Sequence, residues 1–339
     1  MKDNVNIVIT SISAPNEIMT GIAEECKQRD YKFIVIGDVP SPSDFEIDGC
    51  DFYSIDDQVK TGFEFASKCP LRHYSRKNIG YLIAIKNGAT IIVETDDDNM
   101  PYDTFWRLPE RYKTEKVIEK SGWVNMYNYF TDEKIWPRGF PLEEVSKKIK
   151  SFESLDARKM DCPIQQGLAD ANPDVDAIYR LIMPLPQMFR KDRQVILAKG
   201  ALCPFNSQNT VWFSDAFALL YLPSYCSFRM TDIWRGLIAQ RIAHVNDWGV
   251  LFYEPTVTQD RNEHNLMRDF KDEIPGFLNN AQICRELERL DLVPGVDKIG
   301  DNLRLCYKKL VEMNLVQPDE LSLLDTWLES VNEMLDSRQ

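Results

Sequence analysis

The sequence predicts an α/β protein with a mostly parallel central sheet flanked by helices, followed by a C-terminal helical appendix. Three observations carry that expectation. Residues 6–37 read as strand, helix and strand. Residues 76–101 run from a helix straight into an apolar strand that ends in three consecutive carboxylates, Asp96, Asp97 and Asp98. From about residue 270 the spacing is helical to the end of the chain. A strand–helix–strand opening implies parallel pairing and a right-handed crossover.

Asn6 to Ser11 read as the first, buried strand, and a loop follows at residues 13–16. Ile18, Ile22 and Cys26 then share one face of a helix over 16–29. The second strand, 32–37, is closed by Gly37, Asp38 and Pro40. Asp38 stands at a strand end, where it either meets a base or ribose or simply forms the turn. A polar connector with a short strand at 51–54 leads to the helix at 76–88, which Gly88 caps. Arg76, Lys77 and Asn78 open that helix. A cationic helix start suits an anion, because free N–H groups and the helix dipole point the same way; plain surface charge is the alternative.

The strand at 91–95 follows, and Pro101 stops its regular continuation. In open α/β sheets, ligands bind outside the carboxyl ends of the strands. Three adjacent carboxylates repel one another, and a hard divalent cation such as Mg²⁺ or Mn²⁺ relieves that repulsion through oxygen ligands. A cation held by one or two carboxylates and a substrate diphosphate is the recurrent arrangement in nucleotide chemistry. A solvated acidic turn is the competing reading.

Residues 104–119 are expected to be helical in part, and 122–130 to form a strand. Residues 165–177 read as a second acidic loop. On extended backbone its Asp174 and Asp176 point the same way; otherwise they cap a turn before a short strand. Residues 202–213 read as a polar loop entering a strand. Thr231 or Asp232 caps a helix over 233–245, and the last strand lies at 251–257. The terminal helices break at Pro294 and Gly295 and again near Pro318. The expected division is one domain over 1–265, with a donor half (about 1–130) and an acceptor half (about 131–265), and a helical extension over 266–339.

The net charge of −13 argues against a nonspecific nucleic-acid binder, which needs excess Lys and Arg to replace counterions. The eight cysteines are scattered with no Cys-x-x-Cys pair, so a zinc site is not expected and a reducing, cytoplasmic setting is. Residues 1–7 are no signal peptide, and no apolar run reaches the 18 residues a membrane helix needs.

Several stretches, in order, resemble known families: Arg76 to Ile85 with Asp96–Asp98, Trp136 to Glu143, Ile164 to Gly167, Pro173 to Asp176, Pro204 to Thr210, Asp232 to Gly236 and Pro255 to Val257. They resemble the plant STELLO glycosyltransferases and, more distantly, the reversibly glycosylated polypeptides that include UDP-arabinopyranose mutases. The resemblance covers roughly residues 5–260. It implies a GT-A fold, transfer of a hexosyl or pentosyl unit from a nucleotide sugar, with UDP favoured, to a glycan or other hydroxyl acceptor, and a role in polysaccharide or glycoconjugate synthesis. It also implies residue roles. Asp96 and Asp98 match the metal-binding Asp-x-Asp motif, which takes Mn²⁺ or Mg²⁺. Arg76 and Asn78 match an element beside the donor, to which Asp38, Asp96 and Arg138 are also assigned. Asp232 matches the acidic position that serves as base in inverting members, with Asp174 and Asp176 in reserve.

Two departures stand out. No arginine follows Pro141 where the reversibly glycosylated polypeptides are modified, which disfavours the alternative mutase reading. The late histidine that helps hold the metal is also missing: Thr258 and Gln259 stand there, and His264, a few residues on, is the candidate substitute. A catalytically silent, nucleotide-sugar-binding scaffold is the remaining alternative. Trp136, Trp212 and Trp234 are either sugar platforms or core residues. STELLO proteins carry an N-terminal membrane anchor, whereas this chain reads as a freestanding version, possible as a homo-oligomer through its C-terminal helices.

Overall fold

The computed structural model describes residues 3–260 and 265–336. β1 (Val5–Thr10), α1 (Glu17–Arg29) and β2 (Lys32–Ile36) form the expected unit, with the strands parallel and Asn6 opposite Lys32. Alternation along β1 decides what covers each face of the sheet. Ile7 and Ile9 pack with Met19, Ile22 and Cys26 of α1, while Val8 joins the larger core on the opposite face. Asn16 starts α1 by accepting from the Met19 amide at 2.8 Å.

β3 (Asp51–Tyr53) extends the sheet beyond β2, and α2 (Ile55–Lys60) and α3 (Glu64–Lys68) follow. α4 (Lys77–Lys86) is buried from Lys77 to Ile85. A Cβ on Gly80 would lie 2.5 Å from Val8 Cγ1, so glycine permits the close seat of α4 on the sheet. β4 (Ile91–Thr95) pairs in parallel with β1, and the short β5 (Asn99–Pro101) follows the acidic turn.

From here the structure departs from the sequence reading. Residues 104–119 hold a 3₁₀ turn at Asp103–Trp106 and then β6 (Tyr112–Ile118), not a regular helix. The charges that suggested a helix sit on a strand flanked by two partners, so pairing outweighs local preference. The strand expected at 122–130 shrinks to β7 (Gly122–Trp123) before a turn at Met126–Tyr129. β8 (Ala157–Asp161) precedes β9 (Ile164–Asp170), which is buried throughout. Residues 165–170, read as the start of a loop, therefore form a central strand. Its polar side chains bond inward: Gln165 Nε2 donates to Glu110 O at 2.8 Å and Gln166 Nε2 to Asn209 O at 3.1 Å. A helix, α5 (Ala177–Ile182), replaces the expected short strand, with Asp176 as its N-cap.

β10 (Gln194–Leu197), β11 (Ala201–Leu202) and β12 (Asn209–Phe213) lead to α6 (Thr231–Val245), β13 (Val250–Gln259), α7 (Leu266–Glu288), α8 (Ile299–Glu312) and α9 (Asp319–Asp336). The main sheet runs β3-β2-β1-β4-β12-β9-β13-β10-β6-β8, with β5 on β13. β12 is antiparallel to both β4 and β9, and β13 is parallel to β9. The carboxyl ends of β1, β2, β4, β9 and β13 therefore emerge at one edge, together with the entry to β12. The architecture is an α/β sandwich of the GT-A-like kind, with parallel strands over its first half. Residues of α6 to α9 share one continuous core with α4.

Glu320 of α9 is fully buried and accepts from the Tyr221 hydroxyl and from the Ser224 and Tyr225 amides at 3.0 and 2.6 Å. Burial pushes its carboxyl up to about 7 against those hydrogen bonds. A carboxyl raised by folding favours the protonated native state. Its contribution is complete below the ordinary glutamate range near 4.5 and is lost as pH rises through 7. Glu320→Gln is expected to remove on the order of 3 kcal/mol of pH-dependent stability between those limits. Urea midpoints of both proteins across that range check it; parallel curves would contradict it.

Candidate active site

The acidic turn after β4 is tied down residue by residue. Lys77, the first residue of α4, is buried and reaches the edge of the sheet. Its Nζ lies 2.7 Å from Thr95 O, 3.3 Å from Ser207 O and 3.2 Å from Asp96 Oδ1. Partial desolvation pushes the Asp96 carboxyl up from the ordinary aspartate range, with Lys77 opposing and the neighbouring Asp98 and Asp97 adding. Its side chain still keeps 38% of its surface open to the cleft. Asp97 turns aside, accepting from Ser11 Oγ on its carboxylate and from Asn16 Nδ2 on its carbonyl at 2.9 Å. That pair moors the acidic turn to the first strand–helix connection. Asp98 Oδ1 accepts from Gln259 Nε2 at 3.0 Å.

Opposite these residues lies a buried clamp. Arg138 forks onto Asp174 with contacts of 2.7 and 2.9 Å and onto Asp232 with contacts of 3.0 and 2.7 Å. Asn206 Nδ2 also donates to Asp174 at 2.8 Å, and Tyr74 Oη to Asp232 at 3.1 Å. Burial works against ionisation of Asp232, but Arg138, helped by Arg235 and Arg229, overcomes it and holds the carboxyl at about 2.

Asp96, Asp97, Asp98, Arg138, Asp174, Asp232 and Gln259 line one cleft of about 380 Å³. A second cavity of about 310 Å³ shares Thr10, Ile12, Tyr74, Asp97 and Phe228 with it, which makes one groove along the sheet edge. This second part holds Asp38 and Arg76. Asp38 Oδ2 accepts from the His73 amide at 2.9 Å. Arg76 donates to Gln58 Oε1 and Cys69 O, both at 2.8 Å, while its buried Nη2 has no partner.

The structure thus gathers Asp38, Arg76, Asp96, Asp98, Arg138, Asp174 and Asp232 along one groove. Asn78 and Asp176 do not line it. Both amide atoms of Asn78 bond to the backbone of Leu222 at 2.8 Å. Asp176 caps α5 and accepts from Trp136 Nε1 at 2.6 Å. His264 lies outside the described residues. The three tryptophans are core residues, with indole N–H groups bonded to Asp176, Glu94 and Asn280; Tyr74 and Phe228 are the aromatic rings on the groove. Sequence reasoning missed Lys77 as an internal cation and Gln259 as a partner of Asp98. For Lys77 the only cue was its place at the helix start before the acid-ended strand.

Asp96 and Asp98 open onto the same cleft, and the oxygen chemistry of that set fits a hard divalent cation. Among the described residues no three His, Cys, Asp or Glu side chains converge on one point. Also among the described residues, the eight cysteines form no disulfide, and no helix is long and apolar enough to cross a membrane.

Residues 229–336, which include Asp232 and α6 to α9, match the family model described as STELLO glycosyltransferases. Over 289 residues the chain is 31% identical to the Arabidopsis thaliana protein named probable glycosyltransferase STELLO2, covering 78% of this chain and 37% of that protein. It is 29% identical over 291 residues to probable glycosyltransferase STELLO1 of the same plant, again covering 78% and 37%. The chain thus spans little more than a third of the length of these curated relatives.

Proposed function

From a chain that is STELLO-like over most of its length, we propose a metal-dependent glycosyltransferase that takes its sugar from a nucleoside diphosphate, with UDP as the favoured nucleotide. The observation that carries this reading is the placement of Asp96 and Asp98 at the carboxyl edge of the sheet, on a groove long enough to divide into two cavities. Asp96 and Asp98 would hold Mg²⁺ or Mn²⁺, which when bound supplies charge neutralisation to the departing diphosphate.

The chain's own residues divide the remaining work. Asp38 and Arg76 line the part of the groove assigned to the nucleoside. Lys77 fixes Asp96 from below and offsets part of the negative charge. Asp232, Asp174 and Arg138 face the acceptor side. Held at about 2, Asp232 is ionised at neutral pH but is a weak proton acceptor. Its part is to orient the incoming hydroxyl. The product is a glycan or glycoconjugate.

Nucleoside diphosphates and nucleotide sugars are expected to raise the melting temperature in the presence of Mn²⁺ and to do so far less without it, because ligands of the native state stabilise by mass action. A thermal-shift screen checks this. Equal shifts with and without metal would support the scaffold alternative instead.

A further inference from the structure

One face of the sheet, under α4 and α6 to α9, belongs to a continuous core. The opposite face carries two smaller apolar clusters, one under α1 that includes Ile7, Val93 and Val211, and one around Met160, Ile196 and Leu251. Between them lies a cavity of about 260 Å³, walled on its outer side by the 3₁₀ turn at Asp103–Trp106 and the irregular residues 107–110. Leu108 is half exposed, so this wall reaches the surface. The cavity shares no lining residue with the two cavities of the groove. Its lining is charge-balanced, with Arg107 and Lys113 matched by Glu110 and Glu254. Tyr31, Phe105, Trp106 and Tyr253 supply aromatic rings. Thr104, Gln194 and Asn209 also line it, and each carries a buried side-chain oxygen with no hydrogen-bond partner among the described residues. The other half of the Asn209 amide is already engaged: its Nδ2 donates to Leu168 O at 3.1 Å and to Thr256 Oγ1 at 2.8 Å. Unmatched buried oxygens are costly, and a native cavity that has them in its walls suits a polar guest rather than a hydrocarbon.

We propose that this cavity is a second carbohydrate site, separate from the donor groove, that takes a single sugar ring. A sugar is neutral, as the balanced lining requires. It offers hydroxyl donors to unmatched oxygens and lays its C–H faces on aromatic rings. The volume falls just below the roughly 300–1,000 Å³ of sites for drug-sized ligands, which suits one ring and not a nucleotide sugar. β12 links the two sites: Ser207 and Gln208, just before it, line the groove, and Asn209, its first residue, lines the cavity. A glycan chain held by one ring here stays close to the groove. That purpose rests on the glycosyltransferase reading; the binding itself does not.

The test is a ligand-observed NMR titration of the full chain with the methyl glycosides of glucose, galactose, mannose, xylose and arabinose. The native protein is compared with Thr104→Val, Gln194→Leu and Asp98→Asn, and the native titration is repeated with UDP and Mn²⁺ present. Thr104→Val and Gln194→Leu remove oxygens that have no partner, so both are expected to keep the native melting temperature. At least one glycoside is expected to bind the native protein saturably, with a dissociation constant on the order of 1 mM. Both cavity variants should weaken that binding by about 3–10-fold, while Asp98→Asn and added UDP leave it unchanged. No binding of any glycoside up to about 50 mM would overturn the proposal and leave a cavity for water alone. Binding that Asp98→Asn or UDP abolishes and the cavity variants spare would overturn it too, because it would belong to the groove. A melting temperature lowered in both cavity variants would mean that these oxygens are already paired within the fold, which also contradicts it. Glycoside binding as expected, with no binding of UDP, would remove the donor-site reading and leave this site standing.

Discussion

Asp98→Asn is expected to weaken metal-dependent nucleoside diphosphate binding by at least about 100-fold, a loss of roughly 3 kcal/mol. The substitution keeps the shape of the side chain and an oxygen that can still accept from Gln259 Nε2. It removes one full charge from the set facing the cation, whose partners across the cleft are a diphosphate and Asp96. Asp96 cannot make up the loss, because Lys77 already lies 3.2 Å from its Oδ1. Folding should change little, since the relief of repulsion among Asp96, Asp97 and Asp98 runs in the stabilising direction. Calorimetric titration of UDP with Mn²⁺ into both proteins reads the ratio. Unchanged affinity in the variant would show that the diphosphate is held without this carboxylate.

Arg138→Leu is expected to destabilise the fold by about 3–5 kcal/mol at neutral pH, the usual cost of stripping a buried charge of its partner. Here one guanidinium serves two carboxylates, Asp174 and Asp232, both less than a tenth exposed. In the native protein Asp232 is depressed to about 2. Its contribution is therefore present above the ordinary aspartate value near 3.8 and lost only as pH falls through 2. Without Arg138 the sign reverses. Burial then raises Asp232 unopposed, so the variant gains stability as pH drops and that carboxyl takes a proton. Urea midpoints at pH 5 and pH 8 should show the deficit shrinking at the lower pH. A deficit that is small, or equal at both pH values, would mean that the clamp is solvated in solution.

The parts of this architecture that were legible in the sequence are those where burial and residue type agree. β1, α1, β2, α4 and β4 carry apolar residues at the spacing of their elements, and the acidic turn follows β4 without interruption. β9 was hidden because Gln165, Gln166 and Asp170 look like loop residues until their partners are known. Asp170, for example, accepts from the Phe189 amide at 2.9 Å. The same difficulty hid the site's interior. Arg76 and Lys77 look like surface charges, yet each is only 1% exposed because carbonyls and side chains from distant segments satisfy them. Periodicity cannot report such long-range compensation. Trp136, Trp212 and Trp234 illustrate the converse. Their size allowed a role against a sugar ring, but each indole N–H found an internal acceptor and the ring went into the core.

The central claim is that the groove at the carboxyl edge binds a nucleoside diphosphate through a cation held by Asp96 and Asp98. Titration of the native protein with UDP, with and without Mn²⁺ or Mg²⁺, tests it most directly. The expected result is saturable binding that requires the cation and competes with a UDP-sugar. Binding of equal strength after chelation of all divalent metal, or no binding under either condition, would contradict it.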